Sequence, residues 1–155
     1  MKKIDLGQTL GLLANLGVII GILLLVFELN QNRDMMRAQT RNELSRGLAD
    51  VLSLTISDAY LSEIAIRANA GDELSAPDAL RLAQWYELAF RYWENVHYQY
   101  RQGLYDESEF TRHADTMAVV LVRMPGLARY WCGDRLRYSI PFMEFMDGLL
   151  ESHSC

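Results

Sequence analysis

The sequence predicts an all-α fold: an N-terminal transmembrane helix continues into a long helix, followed by a small bundle of about four helices. Three observations carry this prediction. Residues 10–27 form an almost unbroken apolar run, long enough to cross a bilayer. The rest of the chain repeats apolar residues with the period of a helix, between glycine and proline turn signals. No useful length of chain alternates apolar and polar residues as a half-buried strand does.

The first element is the apolar stretch at the start of the chain. Residues 1–29 contain 24 consecutive positions whose only strongly polar side chains are Gln8, Asn15 and Glu28. About 20 apolar residues cross the hydrocarbon at about 1.5 Å each, and a core helix rarely needs so many. A secretory signal would have a shorter apolar region and a small-x-small cleavage site, which the residues after Phe27 lack. Residues 1–29 are therefore predicted to form an uncleaved transmembrane helix.

The charges that flank this helix predict its orientation. Lys2 and Lys3 precede it, whereas four arginines follow within about 20 residues of its end. Because positively charged flanks stay on the cytoplasmic side, the C-terminal part is predicted to be cytoplasmic. The chain has only two cysteines, which is not the pattern of a disulfide scaffold.

Successive residues of an α-helix are rotated by about 100° about its axis. With this rotation, small and polar residues of the predicted span lie on one face. Two glycine pairs on this face have the G-x-x-x-G spacing, which lets helix backbones approach closely inside lipid. The face predicts a helix–helix interface, in a homo-oligomer or against another membrane protein. The alternative is that these glycines only reflect how common glycine is in membrane spans. The residues of this glycine face are Gly7, Gly11, Ala14, Asn15, Gly17, Gly21 and Glu28.

Glu28 is an ionisable residue at the edge of the predicted span, where such residues are rare and often functional. It lies beside the polar run 30–33, which favours a carboxylate that reaches headgroup water or pairs with Asn32 or Arg33. The alternative is an acidic ring or proton site at the mouth of a homo-oligomeric channel or pore.

The juxtamembrane segment 30–57 is predicted to continue the same helix, because neither glycine nor proline occurs from Leu29 to Arg46. Its first part carries an arginine at every fourth position, which predicts a stripe that binds lipid headgroups. Each arginine contributes about 1 kcal/mol to binding at an anionic lipid surface. The apolar residues from Leu44 to Thr55 then repeat with helical spacing and predict a buried face. The arginines of the stripe are Arg33, Arg37 and Arg41.

Residues 58–155 are predicted to form a helical soluble domain, divided by turn signals. Its first helix ends before Gly71, a residue suited to the left-handed exit of a helix. The next begins at Ser75, with a proline in its first turn, and the third opens at Asp106 with Glu109 three residues later. The predicted helices are 58–70, 75–102 and 106–123, then one before Gly133 or Tyr138 and one after Pro141.

The helix 75–102 carries a mostly aromatic stripe on one side, which predicts that this side faces the core. His97 lies on this stripe and is predicted to be a hydrogen-bonded core residue. The alternative is that it serves as a catalytic base or a metal ligand. With Trp93 it marks a candidate pocket, since an aromatic cluster can also enclose a ligand. An enzyme would need His97 and Glu94 to share an open pocket. His113 is placed on the polar side of the following helix.

Several classes of function are disfavoured by composition and spacing. The net charge is −5, from 15 basic and 20 acidic residues, and no basic patch predicts binding of nucleic acid. No spacing typical of a zinc site, a nucleophile elbow or a phosphate loop occurs. The sequence therefore predicts no metal, no cofactor and no enzymatic activity.

Two motifs, one at the end of the span and one around the turn near Gly103, complete the pattern. The motif residues are Asn30, Gln31, Asn32 and Arg33, then Glu94, Asn95, Tyr98, Gln99, Tyr100, Gly103, Leu104 and Asp106. Together these motifs resemble those of a broad set of small uncharacterised bacterial membrane-anchored all-helical proteins. The resemblance implies a bacterial inner (plasma) membrane location and no transferable activity.

The sequence as a whole predicts a single-pass membrane-anchored protein that acts as a self-associating or partner-binding module, in an accessory or scaffolding role. Its predicted partners are membrane lipids and either further copies of the chain or another membrane protein. The alternative function is a homo-oligomeric channel with Glu28 near its mouth.

Overall fold

The computed structural model describes residues 6–150, with the backbone alone described at positions 6, 8 and 9. The predicted all-α class is confirmed, since the described range contains helices and no strand. Five α-helices follow the first one, whereas the predicted bundle had about four, and the C-terminal part divides into two short helices at a 3-10 turn, in agreement with the turn signals. The helices are α1 (Leu6–Ser57), α2 (Ala59–Ala70), α3 (Ala76–Arg101), α4 (Glu107–Arg123), α5 (Pro125–Asp134) and α6 (Ile140–Leu149), and the 3-10 turn is Arg135–Arg137.

The first helix is 52 residues long, so the predicted continuation of the apolar helix through the juxtamembrane segment is confirmed. The chain divides within α1 into a first unit, Met1–Gln39, and a second unit, Thr40–Cys155. From Leu10 to Gln39 every side chain is exposed. The described core residues belong to the second unit.

The ends of the helices follow the local signals in the sequence. The Asp58 carboxylate accepts a hydrogen bond from the backbone N–H of Leu61 (3.1 Å) at the start of α2, and the helix ends at Gly71. The φ of +89° at Gly71 lies in the left-handed region that favours glycine. Ser75 caps α3 and Asp106 caps α4, as predicted.

The third helix is the centre of the second unit and packs against α2, α4, α5 and α6. Its aromatic stripe faces the core as predicted, with Tyr86, Phe90 and Trp93 all buried. Each of these five helices contributes at least one fully buried side chain, so the core is shared among all of them. The largest are Trp131, Phe90, Phe142, Ile64, Met117, Leu127, Met146 and Val96.

Candidate functional site

The glycine face lies entirely on α1, and all seven of its residues are exposed. A Cβ atom added to Gly11, Gly17 or Gly21 would meet no side chain and no distant backbone atom within 4 Å. These three positions therefore have room for the close approach of another helix. The remaining members of the face are Gly7, Ala14, Asn15 and Glu28.

The basic stripe is divided between the two units. Arg33 and Arg37 are exposed in the first unit. Arg41 belongs to the second unit, where its Nη2 lies 2.9 Å from Oε1 of Glu109 on α4. Its guanidinium is thus positioned by a protein carboxylate, while 70% of the side chain stays exposed.

His97 and Glu94 both have structural contacts. His97 is only 8% exposed, and its ring stacks on Phe145 with centroids 4.8 Å apart. Burial lowers the pKa of His97 below its usual value. Glu94 accepts hydrogen bonds from the backbone N–H of Ser139 and from Arg91, each at 2.8 Å, and so fixes the start of α6. The burial of His97 argues against an open pocket shared by His97 and Glu94, which the enzymatic alternative would need.

The second unit contains an apolar cavity of about 440 Å³. It lies between the last part of α1, the middle of α3 and α4, and it extends to the start of α5. Trp93, one of the two predicted pocket residues, contributes to its wall, whereas His97 does not. The lining residues are Leu48, Val51, Leu52, Trp85, Ala89, Tyr92, Trp93, His113, Thr116, Met117, Val120, Met124 and Leu127.

A second, more polar cavity of about 230 Å³ adjoins it. The two cavities share Leu48, Tyr92 and His113 as wall residues. The polar cavity is also lined by Arg41, Leu44, Ser45, Tyr105 and Glu109. An apolar space and a space lined by hydrogen-bonding groups therefore lie side by side.

Specific contacts hold the last part of α1 beside these cavities. At Gly47 the helix passes close to Tyr92, since an added Cβ would lie 3.2 Å from the ring atom Cδ2. One turn further on, the indole N–H of Trp85 donates a hydrogen bond to the carbonyl of Val51 (3.3 Å). Glycine at position 47 permits this approach at a helix-interior cost of about 1 kcal/mol relative to alanine.

His113 is the polar residue at the junction of the two cavities. Its Nε2 atom is shielded from solvent and, within the described range, has no hydrogen-bond partner. Its ring meets Tyr92 edge-on, with centroids 5.7 Å apart. Burial lowers the pKa of His113 and raises that of Tyr92 to about 12, so both groups are neutral near pH 7.

The placement of His113 on the polar side of its helix was wrong. In α4 Phe110, Met117 and Leu121 are buried, and His113, which is partly buried, stands on the same side as Phe110 and Met117. The spacing i, i+3, i+7 from Phe110 through His113 to Met117 was the signal that could have found it.

The described residues contain no group of three or more histidine, cysteine, aspartate or glutamate side chains that could hold a metal ion. No family model, curated protein or solved structure matches this chain. The function is therefore argued from the sites themselves.

Proposed function

We propose that this protein is a single-pass membrane-anchored module that assembles through its span with copies of itself or with a membrane-protein partner. The observation that carries the proposal is the complete exposure of an apolar helix. The most apolar 18-residue window of α1 has a mean hydropathy of 2.7, and none of it is buried. A bilayer would cover the apolar side chains that the fold leaves open to water.

The exposed apolar side chains surround the whole circumference of this part of α1. Leu12, Val18 and Leu24 lie about 120° apart round the helix, and each is more than half exposed. An apolar stripe on one side would fit against a single protein surface, but apolar residues on every side need an apolar medium. This distribution supports a span over a helix that lies flat on a membrane surface.

The glycine face supports assembly within the membrane. Lipid tails provide no hydrophobic drive between helices, so association depends on close packing and on hydrogen bonds between polar groups. The open space at Gly17 and Gly21 permits the close packing. The exposed amide of Asn15 and the carboxyl of Glu28 supply groups that can bond across the interface.

We assign the anchor to a bacterial inner membrane, with residues 30–155 in the cytoplasm. Four arginines follow the span and two lysines precede it, which supports this orientation. Fusion of green fluorescent protein or alkaline phosphatase to the C-terminus distinguishes the two sides. Fluorescence without phosphatase activity is the expected result, and the reverse pattern would place the domain outside the cytoplasm.

Membrane anchoring is tested by extraction of membranes with alkaline carbonate, which releases peripheral proteins. The wild type should stay in the membrane pellet at full length. Arginine at both Leu16 and Leu23 should prevent insertion, because each charge near the centre of a span costs about 2.5–3.5 kcal/mol. Leu136→Arg, at an exposed position of the second unit, is the matched control and should not change the result. Release of the wild type would contradict anchoring.

Assembly is tested by the mass of the protein released gently from its native membrane. Gly17→Leu and Gly21→Leu should reduce this mass, because a leucine on the glycine face keeps the helix backbones apart. Leu16→Phe adds bulk on the opposite side of the helix and should leave the assembly intact. An unchanged mass in both glycine variants would show that the glycine face is not the interface.

A further inference from the structure

We propose that the apolar cavity and the polar cavity of the second unit form one binding site for a small neutral amphiphile, a single-chain molecule with an aliphatic body and an uncharged hydroxyl or carbonyl head.

The apolar cavity has the size and lining that the aliphatic body needs. Its volume of about 440 Å³ lies in the range of about 300–1,000 Å³ that small-molecule sites occupy. All its wall residues except His113 and Thr116 are apolar or aromatic. The Thr116 hydroxyl already donates a hydrogen bond to the carbonyl of Arg112 (2.9 Å), so it offers the cavity no free donor.

His113 marks the position of the head group. A neutral imidazole has one donor nitrogen and one acceptor nitrogen, and a buried polar atom without a partner is unfavourable. His113 lines both cavities, and within the described range its shielded Nε2 has no hydrogen-bond partner. A ligand hydroxyl or carbonyl at this point would supply the missing hydrogen bond.

The charges around the polar cavity select a neutral head. Arg41 and Glu109, the charged residues of its wall, form an ion pair with a separation of 2.9 Å and cancel each other. The hydroxyl of Ser45 is engaged by the carbonyl of Arg41 (2.9 Å). An anionic head would compete with Glu109 for the guanidinium, and a cationic head would compete with Arg41 for the carboxylate.

The rim of the site is accessible from solvent. Leu48 and Leu52 on α1 line the apolar cavity and are 37% and 46% exposed. A flexible single chain can enter past these side chains without displacement of the core.

The test uses the full chain in phospholipid nanodiscs, with 12-bromododecan-1-ol as the probe. Bromine quenches tryptophan fluorescence on contact, and Trp85 and Trp93 both line the apolar cavity. The predicted span contains no tryptophan, so probe dissolved in the bilayer around it quenches nothing there. Saturable quenching that unbrominated dodecan-1-ol relieves is the expected result.

A pair of alanine variants on α3 locates the binding. Ala89→Phe fills the apolar cavity and should abolish the saturable quenching. Ala83→Phe makes the same change on the same helix but faces a different cavity, and it should bind the probe like the wild type. The unfolding midpoint of each variant shows whether it is folded. The wild-type titration and the head-group variants below test the proposal if Ala89→Phe does not fold.

The head group is tested with three brominated chains of equal length. The alcohol should bind about fivefold more tightly than the bromoalkane, the ratio that corresponds to one hydrogen bond. It should also bind more tightly than the bromocarboxylate. His113→Leu should remove the preference of alcohol over alkane, and His113→Gln should restore most of it, because glutamine retains hydrogen-bonding groups.

Four results would overturn the proposal. Quenching that never saturates and is equal in all variants would mean partition into the bilayer alone. Equal binding of alcohol and alkane, or tighter binding of the carboxylate, would show that the site does not select a neutral head group. Failure of the wild type to bind, together with a changed assembly mass in Ala89→Phe, would make this face a protein–protein interface.

Discussion

The first part of α1 and the middle of α3 are both rich in large apolar side chains, but they differ in how these side chains are arranged. On α1 they go round the whole helix, and all are exposed from Leu10 to Leu29. On α3 most of them occupy one side and are buried among four other helices, and Leu88 on the opposite side is 49% exposed. The comparison teaches that the distribution of apolar residues round a helix, more than their number, determines which medium covers it.

The largest effect that tests this comparison is the loss of a ring. Phe142 on α6 is 0% exposed and Phe27 on α1 is 59% exposed. Phe142→Ala should lower the free energy of unfolding of the second unit by about 3–5 kcal/mol, since it leaves a cavity in a packed core. Phe27→Ala should change it by less than about 0.5 kcal/mol.

Denaturant unfolding of nanodisc-held protein, followed by tryptophan fluorescence, measures both values. Trp131 packs edge-on against Phe142 with centroids 5.5 Å apart, so the signal arises beside the mutated site. Equal losses in the two variants would mean that α1 and the second unit share one cooperative core, and the comparison would fail.

A smaller effect should follow when a partly buried polar contact is broken. The indole N–H of the fully buried Trp131 donates to Oδ1 of Asp147 (3.0 Å), and Arg135 donates to Oδ2 (2.7 Å). Asp147→Ala should cost about 1–3 kcal/mol, because the indole N–H loses its acceptor inside the core. Asp115→Ala, at an exposed position of α4, is the control. The difference in the denaturation midpoint between the two variants is the measurement, and equal midpoints would contradict it.

The parts of the fold that sequence reasoning predicted depend on neighbours along the chain. The caps at Ser75 and Asp106 act within three residues, and the stripe of α3 follows from the helical period alone. Continuity of α1 followed from the lack of breaking residues over a long stretch. Each of these features needs no knowledge of which helices meet.

The cavities could not be predicted because they depend on contacts between distant residues. The bond from Ser139 to Glu94 joins residues 45 positions apart, and the one from Trp85 to Val51 spans 34. The polar assignment of His113 was made on the face of one helix, whereas its burial comes from residues on α1 and α3. The membrane role of the glycine face stays a prediction, since a partner helix would lie outside this chain.

Acidification should affect the second unit selectively, since all three histidines lie in it. Burial lowers the pKa of both His97 and His113, so the unfolded chain binds more protons than the folded one below about pH 6.5. Stability is therefore fully present above pH 6.5 and falls with pH, by at most about 1.4 kcal/mol per pH unit and histidine. The hydrogen bond from Tyr60 lowers the pKa of Asp78, and those from Ser139 and Arg91 lower the pKa of Glu94, so both carboxyls stay ionised in this window.

Denaturation midpoints at pH 7.5, 6.5 and 5.5 measure this slope. A variant with both His97→Gln and His113→Gln should have a flatter profile over the same range, whatever its stability at pH 7.5. A wild-type stability that is constant, or that rises as the pH falls, would show that the pKa values of the two imidazoles are not lower in the folded chain than in the unfolded one.

The smallest expected effect is a difference in lipid binding between two arginines of the basic stripe, one in each unit. Arg33 is exposed in the first unit, whereas Arg41 in the second unit pairs with Glu109. Arg33→Gln should weaken retention of anionic lipid by about 1 kcal/mol. Arg41→Gln should weaken it by less, because the carboxylate already offsets that charge and an exposed pair is worth only about 0–1 kcal/mol. Phosphatidylglycerol retained per protein after gentle delipidation measures the difference. Glu109→Gln should then raise the contribution of Arg41 to lipid retention to the level of Arg33. That result would show that the ion pair weakens lipid binding by Arg41, so that four-residue spacing alone does not define a lipid-binding stripe.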